Sequence, residues 1–242
     1  MESIFRPQGK PIWRWTLGPV SDQGFYILKE SVKKIKQTYG TTFQYVVCWN
    51  GLTPKQLDQL KQIKVDLFQQ MPDSLPYPPK NEMWKLYPPR LDMNVHEIVV
   101  DNDIVIFDKI PIIDQFLESN FNLLYEGLHR SLGSYDRYVP PGLRINSGIY
   151  GVPPGFDLKA GILHLLSNDK TPGWKDRFDD QGIIAHVLTK NGNFQILRQS
   201  TVPILEPQMV APKTGCQGMH FVFANRMESQ PWNQYKLRKC LF

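Results

Sequence analysis

Asp101 and Asp103, with Asn102 between them, are the residues in this sequence best placed to do chemistry. On extended backbone, residues i and i+2 project to the same side, so the two carboxylates can converge on one point while Asn102 faces away. Carboxylates brought that close repel unless a proton or a cation lies between them, and a hard divalent ion is the usual answer. An Asp-x-Asp is short and often only caps a loop. Here it follows Ile98-Val99-Val100, a continuous apolar run of the kind found in strands covered on both faces. Open α/β sheets place their ligands at the carboxyl ends of such strands.

Other residues gain meaning once that site is assumed. His220 lies in a strand-like run, Gly218-Met219-His220-Phe221-Val222-Phe223. Taken alone it reads as a core histidine bonded to a backbone carbonyl; taken with the two acids, it is a third ligand for a metal such as Mn²⁺. Asp179-Asp180-Gln181 opens a helix, where two acids suit the positive end of the dipole. Asn146-Ser147-Gly148 reads equally well as a turn or as part of a site. Trp174 offers a flat face for a sugar ring or an anchor for its loop.

The elements that must position these groups follow a repeating pattern. Trp13 to Leu17 reads as a strand, followed by Gly18-Pro19, an N-cap at Ser21-Asp22, and a helix with Ile27, Leu28, Val32, Ile35 and Tyr39 on one face, closed by Gly40. Phe43 to Trp49 is a second strand, and Thr53-Pro54 starts a helix carrying Leu57, Leu60 and Ile63. A βαβα opening predicts a parallel sheet. Residues 71–90, rich in proline and containing Tyr77, Trp84 and Tyr87, read as a loop-rich insertion, either an ordinary surface loop or one that edges a cleft. Downstream, helices are predicted over 111–117, 158–166 and 181–188, and strands over 121–125 and 148–151.

Composition narrows the class. The 242 residues can bury one large core. A net charge of +5 is spread among acids rather than gathered into a basic stripe, which argues against nucleic acid as a partner. Cys48, Cys216 and Cys240 are far apart and odd in number, so they read as free thiols in a reducing compartment. The first residues form no apolar leader and no run approaches membrane-spanning length, giving the expectation of a cytoplasmic chain. The tail from Tyr235 mixes basic and apolar residues; it reads as a segment docked on the domain or as a weak contact with an anionic membrane surface.

In order, Lys85-Leu86, Asp101-Asn102-Asp103, Asn146-Ser147-Gly148, Asp180-Gln181 and His220 with Pro231-Trp232 resemble the motifs of the glycogenin and lipopolysaccharide-galactosyltransferase family of retaining glycosyltransferases. The resemblance implies the α/β GT-A fold, a mostly parallel central sheet flanked by helices, as one domain over 1–242. Its nucleotide-binding half would be 1–110, its sugar and acceptor half 111–232, and its tail 233–242. It implies Mn²⁺, with Mg²⁺ as second choice, held by Asp101, Asp103 and His220 against the donor diphosphate. Lys85, Asn102, Asn146, Ser147 and Gly148 would contact the donor. Asp180 and Gln181 would be the catalytic pair, with Gln181 in a polar stabilising role facing the anomeric carbon. The donor would be a nucleotide sugar, UDP-hexose by family frequency, and the acceptor a glycan, lipid or protein. The sequence departs from the family where Gln230 replaces the lysine before Pro-Trp; Arg226 has the spacing to supply the missing cation.

Two other functions fit parts of the sequence. A haloacid-dehalogenase-like phosphatase also has an apolar strand ending in Asp-x-Asp, with Asp179-Asp180 as later metal acids, but there that strand opens the domain. A nucleotide-sugar-binding protein without catalysis fits the altered Lys-Pro-Trp segment.

Overall fold

The computed structural model describes residues 5–70, 81–168, 170–224 and 227–239. Strand β1 (Ile12–Leu17) leads into helix α1 (Asp22–Tyr39), β2 (Gln44–Trp49), α2 (Pro54–Gln62) and β3 (Asp66–Gln69). Both helices start on caps legible in the sequence. Ser21 accepts from Gly24 N, and Thr53 and Gln56 form a reciprocal capping box ahead of Pro54. Gly40, at φ 60°, closes α1 with its N–H on Lys36 O. After a 3₁₀ turn over Asn81–Leu86 come β4 (Glu97–Val100), β5 (Ile104–Ile106), α3 (Pro111–Leu117) and β6 (Asn122–Glu126). A second 3₁₀ turn, Gly133–Tyr138, precedes β7 (Ile145–Val152), α4 (Leu158–Leu166), α5 (Asp179–Thr189), β8 (Phe194–Leu197), β9 (Ile204–Leu205), β10 (Gly218–Phe221) and α6 (Gln230–Lys239).

Seven strands form one sheet in the order β3-β2-β1-β4-β7-β6-β8. The pairs β1/β2, β2/β3, β1/β4 and β6/β8 are parallel, whereas β7 runs antiparallel to both β4 and β6. The sheet is covered on both faces. Trp13, Trp15, Val47, Ile98 and Val100 pack with α1 on one side, and Val99, Leu124 and Tyr150 pack with α4 and α5 on the other. That double burial explains why β4 has no polar alternation. On the α5 side, buried Glu97 bridges Arg14 at 2.5 Å and Arg90 at 3.4 Å, and Arg90 also donates to the carbonyls of Val95 and Pro153. These bonds fix the segment before β4.

A second sheet, β5-β10-β9, stands beside the first. Strand β10 pairs antiparallel with β5, with His220 opposite Ile104. Helix α6 then docks on it: the Trp232 and Tyr235 rings stack at 5.4 Å, and both pack against Phe221. Of the two readings of the tail from 233 onward, docking on the domain matches what is seen: as far as Lys239 those residues belong to a helix that begins at Gln230. Among the described residues no helix is long and apolar enough to cross a membrane. Cys48 and Cys216 are free thiols; Cys240 lies outside the described residues.

Candidate metal and donor site

Asp101 and Asp103 do not lie on extended backbone, as the i, i+2 argument supposed. They occupy a turn between β4 and β5, with Ile104 N donating to Asp101 O at 3.3 Å. The turn is needed because the chain leaves one sheet and enters another at this point. Its outcome is that the two carboxylates converge with the His220 ring, one potential ligand atom from each lying within 4.8 Å of the others.

His220 reaches this point through the small sheet. Pairing of β10 with β5 is continued by Phe221 N, which donates to Asp103 O at 2.8 Å. His220 Nε2 lies 3.3 Å from Asp103 Oδ1, too poorly aligned for a hydrogen bond. Among the described residues, neither Asp103 Oδ1 nor His220 Nδ1 has a hydrogen-bond partner, and no backbone carbonyl holds the imidazole. A buried polar atom without a partner needs an explanation, and where two of them belong to one cluster of possible ligands a bound ion is one that fits. Two carboxylates and an imidazole suit a divalent cation such as Mn²⁺.

Asn146-Ser147-Gly148, readable as a turn, lies inside fully buried β7. Because β7 is antiparallel to β4, its first residues sit beside the last of β4, and Asp101 N donates to Gly148 O at 2.8 Å. In a wholly parallel sheet these residues would have been at opposite ends. Ser147 Oγ donates to Asp180 Oδ2 at 2.7 Å. Gln181 Oε1 accepts from Asn146 Nδ2 at 3.0 Å and from Ser147 N at 3.4 Å, while Gln181 Nε2 donates to Ser131 O at 2.9 Å. The amide is thus fixed in orientation, with both oxygen lone pairs already engaged.

Gly148 is required by close approach. A Cβ there would lie 2.6 Å from Asn146 Oδ1 and 2.8 Å from His220 Cε1. Gly148→Ala is expected to destabilise the fold by about 1–3 kcal/mol through overpacking, and to weaken divalent-ion binding because the imidazole must shift. Urea melts and Mn²⁺ titration test this; a variant matching the parent in both would contradict the packing argument.

Lys85, at the end of the first 3₁₀ turn, has its ammonium against three acceptors: Asp101 Oδ2 at 2.9 Å, Ser147 Oγ at 3.1 Å and Asp180 Oδ2 at 3.4 Å. Burial alone would push its pKa down, but Asp101 and Asp180, with Asp103 beyond, outweigh that and hold it well above the usual value. The Asp101 carboxyl is pushed up by burial and by Asp103, against the opposing pull of Lys85 and His220.

The adjacent acids Asp179 and Asp180 have separate tasks. Asp180 faces Lys85 and Ser147. Asp179 turns away and accepts from the backbone N–H groups of Ser134, Lys175 and Asp176 at 2.6, 2.6 and 2.7 Å. That geometry serves a loop-organising acid and opposes its use as a metal acid in a phosphatase. Asp179→Ala should cost about 1–3 kcal/mol, since it strips three half-buried or exposed backbone N–H groups of their buried acceptor. A thermal melt within a degree of the parent would refute this.

A cavity of about 210 Å³ opens over these groups. Residues 16–20 and Trp84 wall one side, Asn146, Asp180 and Gln181 another, and Asn102 lies on the lining while its side chain donates to Gly24 O at 3.3 Å. The Trp84 ring rests directly on Gly18. Arg130 and Arg177 also line the cavity; sequence reasoning missed both, and only a cluster of motifs around them could have signalled them. Trp174 does not reach the cavity and packs on the core beside α4 and α5. Gln230 starts α6 with its N–H on Pro207 O. Arg226 and Tyr77 lie outside the described residues.

The sequence matches no family model and no curated protein sequence. Solved structures do match. An active-site mutant of LgtC superposes with a TM-score of 0.66 at 11% identity, over 96% of this chain and 95% of that one. The galactosyltransferase LgtC in complex with donor and acceptor sugar analogues gives 0.63 at 12%, over 95% and 94%. The apo bifunctional glycosyltransferase WbbM gives 0.62 at 10%, over 96% of this chain and 53% of that one. The chain thus has the GT-A fold expected from the order of its motifs.

Proposed function

We propose that this chain is a metal-dependent glycosyltransferase that moves a hexose from a nucleotide-diphospho-sugar, UDP-hexose, to a glycan, lipid or protein acceptor with retention of anomeric configuration. The observation that carries the reading is the meeting of Asp101, Asp103 and His220, with unpartnered buried atoms, in a cavity of a GT-A fold.

Asp101, Asp103 and His220 would hold Mn²⁺, which when bound supplies a Lewis acid against the leaving nucleoside diphosphate. Lys85 adds a fixed positive charge. An ammonium has three N–H groups, and all three have acceptors, so contact with the donor requires Lys85 to release one. Its longest bond, to Asp180, is the one to yield. Asn146 and Asp180 present polar groups to the sugar. Gln181, with its oxygen committed to Asn146 and Ser147, acts by polarity and position rather than as a nucleophile. Gly148 gives the imidazole room.

The test is release of UDP from a panel of UDP-hexoses with Mn²⁺, with EDTA and without addition, followed by the stereochemistry of the product. Metal-dependent turnover with retention supports the reading. Binding of UDP without turnover of any donor would favour a binding protein, and hydrolysis of p-nitrophenyl phosphate alone would favour a phosphatase.

A further inference from the structure

Arg130 and Arg177 have no part in the chemistry derived above, yet both line the cavity. Arg130 follows β6, which lies across β4 and β7 from the β1 side of the sheet. Its stem is pressed against Gly127, where an added Cβ would meet Arg130 Cγ at 3.0 Å and Asn146 Cβ at 2.9 Å. The arginine stem and Asn146 Cβ therefore both lie against Gly127, and the next residue, Ser131, supplies the carbonyl that fixes Gln181. Arg177 arrives from another direction, just before Phe178, whose carbonyl accepts from Gln181 N at 3.1 Å. Its guanidinium lies over the Phe178 ring, 4.5 Å from the centroid.

Two arginines, the exposed Arg177 and the partly buried Arg130, thus line the same cavity as the polar shelf of Asn146, Asp180 and Gln181. Arg130 is paired with Glu206 at 2.7 Å, whereas among the described residues Arg177 has no carboxylate partner. Neutral sugar hydroxyls need only the amides and carboxylate of the shelf. A guanidinium fork matches a carboxylate or a phosphate.

We propose that this cavity takes a second anionic group, a carboxylate or phosphate borne on a sugar and separate from the donor diphosphate, gripped by Arg177 with Arg130 beside it. The proposal rests on the glycosyltransferase reading and specifies its substrate class. The anion belongs either to the transferred sugar or to the acceptor, and two arms of one experiment separate these sources.

Calorimetry on the full chain with Mn²⁺ compares UDP, UDP-glucose and UDP-glucuronate in the first arm. The second adds glucose, glucuronate or glucose 6-phosphate to protein saturated with UDP and Mn²⁺. In one arm the anionic sugar is expected to bind about tenfold tighter than its neutral counterpart, the increment of a charge-assisted hydrogen bond. Arg177→Ala should erase that preference, Arg177→Lys should restore part of it, and UDP affinity should stay within about twofold. Equal binding of anionic and neutral sugars in both arms overturns the proposal. So does an Arg177→Ala variant that loses UDP affinity as strongly as it loses the anionic sugar, because the guanidinium then grips the diphosphate. If UDP fails to bind with Mn²⁺ at all, the glycosyltransferase reading falls, and this proposal with it.

Discussion

Asp103→Ala is expected to weaken Mn²⁺-dependent binding of UDP by about 100-fold or more, since even residues that only support a metal ligand are worth about 10–100-fold in metal affinity. The substitution is mild for the fold. Asp103 Oδ1 has no hydrogen-bond partner among the described residues, and the contact between sheets that matters, Phe221 N to Asp103 O, uses the backbone and survives. Removing one of two adjacent carboxylates also relieves repulsion around Asp101. The variant should therefore melt at or above the parent temperature without metal while losing the extra stability that Mn²⁺ and UDP confer on the parent. Calorimetry and melts with and without Mn²⁺ read both quantities. UDP binding by the variant at parental affinity would remove Asp103 from the ligand set.

Lys85→Met has the opposite signature. It leaves Asp101 and Asp180 facing each other across a nearly buried space without their cation, and breaking such a pair costs about 3–5 kcal/mol. For a chain of this size that corresponds to a fall in Tm on the order of 10 °C. Mn²⁺ should then raise the Tm of the variant more than that of the parent, because the ion replaces a missing charge instead of competing with one already there. A small fall, or an equal rise with Mn²⁺, would show that the carboxylates are balanced by something other than Lys85.

The parts of the fold legible in the sequence were those with strong local signals. The caps at Ser21 and Thr53, the proline at the start of α2, the apolar face of α1 and the unbroken apolar run of β4 each reflect physics within a few residues. Strands β3, β8 and β9 escaped notice because two to four residues hold too little periodicity; their partners in the sheet stabilise them. The turn at Asp101–Asp103 was read as extended because nothing local shows that β5 belongs to a different sheet from β4. The same limit applies to Asn146-Ser147-Gly148. Their place beside Asp101 depends on the antiparallel direction of β7, a property of the whole sheet. Arg130 and Arg177 carry no motif at all and become visible only when the β6–β7 and α4–α5 connections meet over Gln181.

The crossing from one sheet to the other at Asp101–Asp103 also sets an order of assembly in time. During synthesis the two acids and Lys85 leave the ribosome long before His220, which joins them only when β10 has been made and paired with β5. In that interval the large sheet can form with an acidic turn at the end of its central strand, and Lys85 is the charge already present to balance Asp101 there. A residue read here as a contact for a bound substrate would then serve the nascent chain first, as a placeholder while the site waits for its last member.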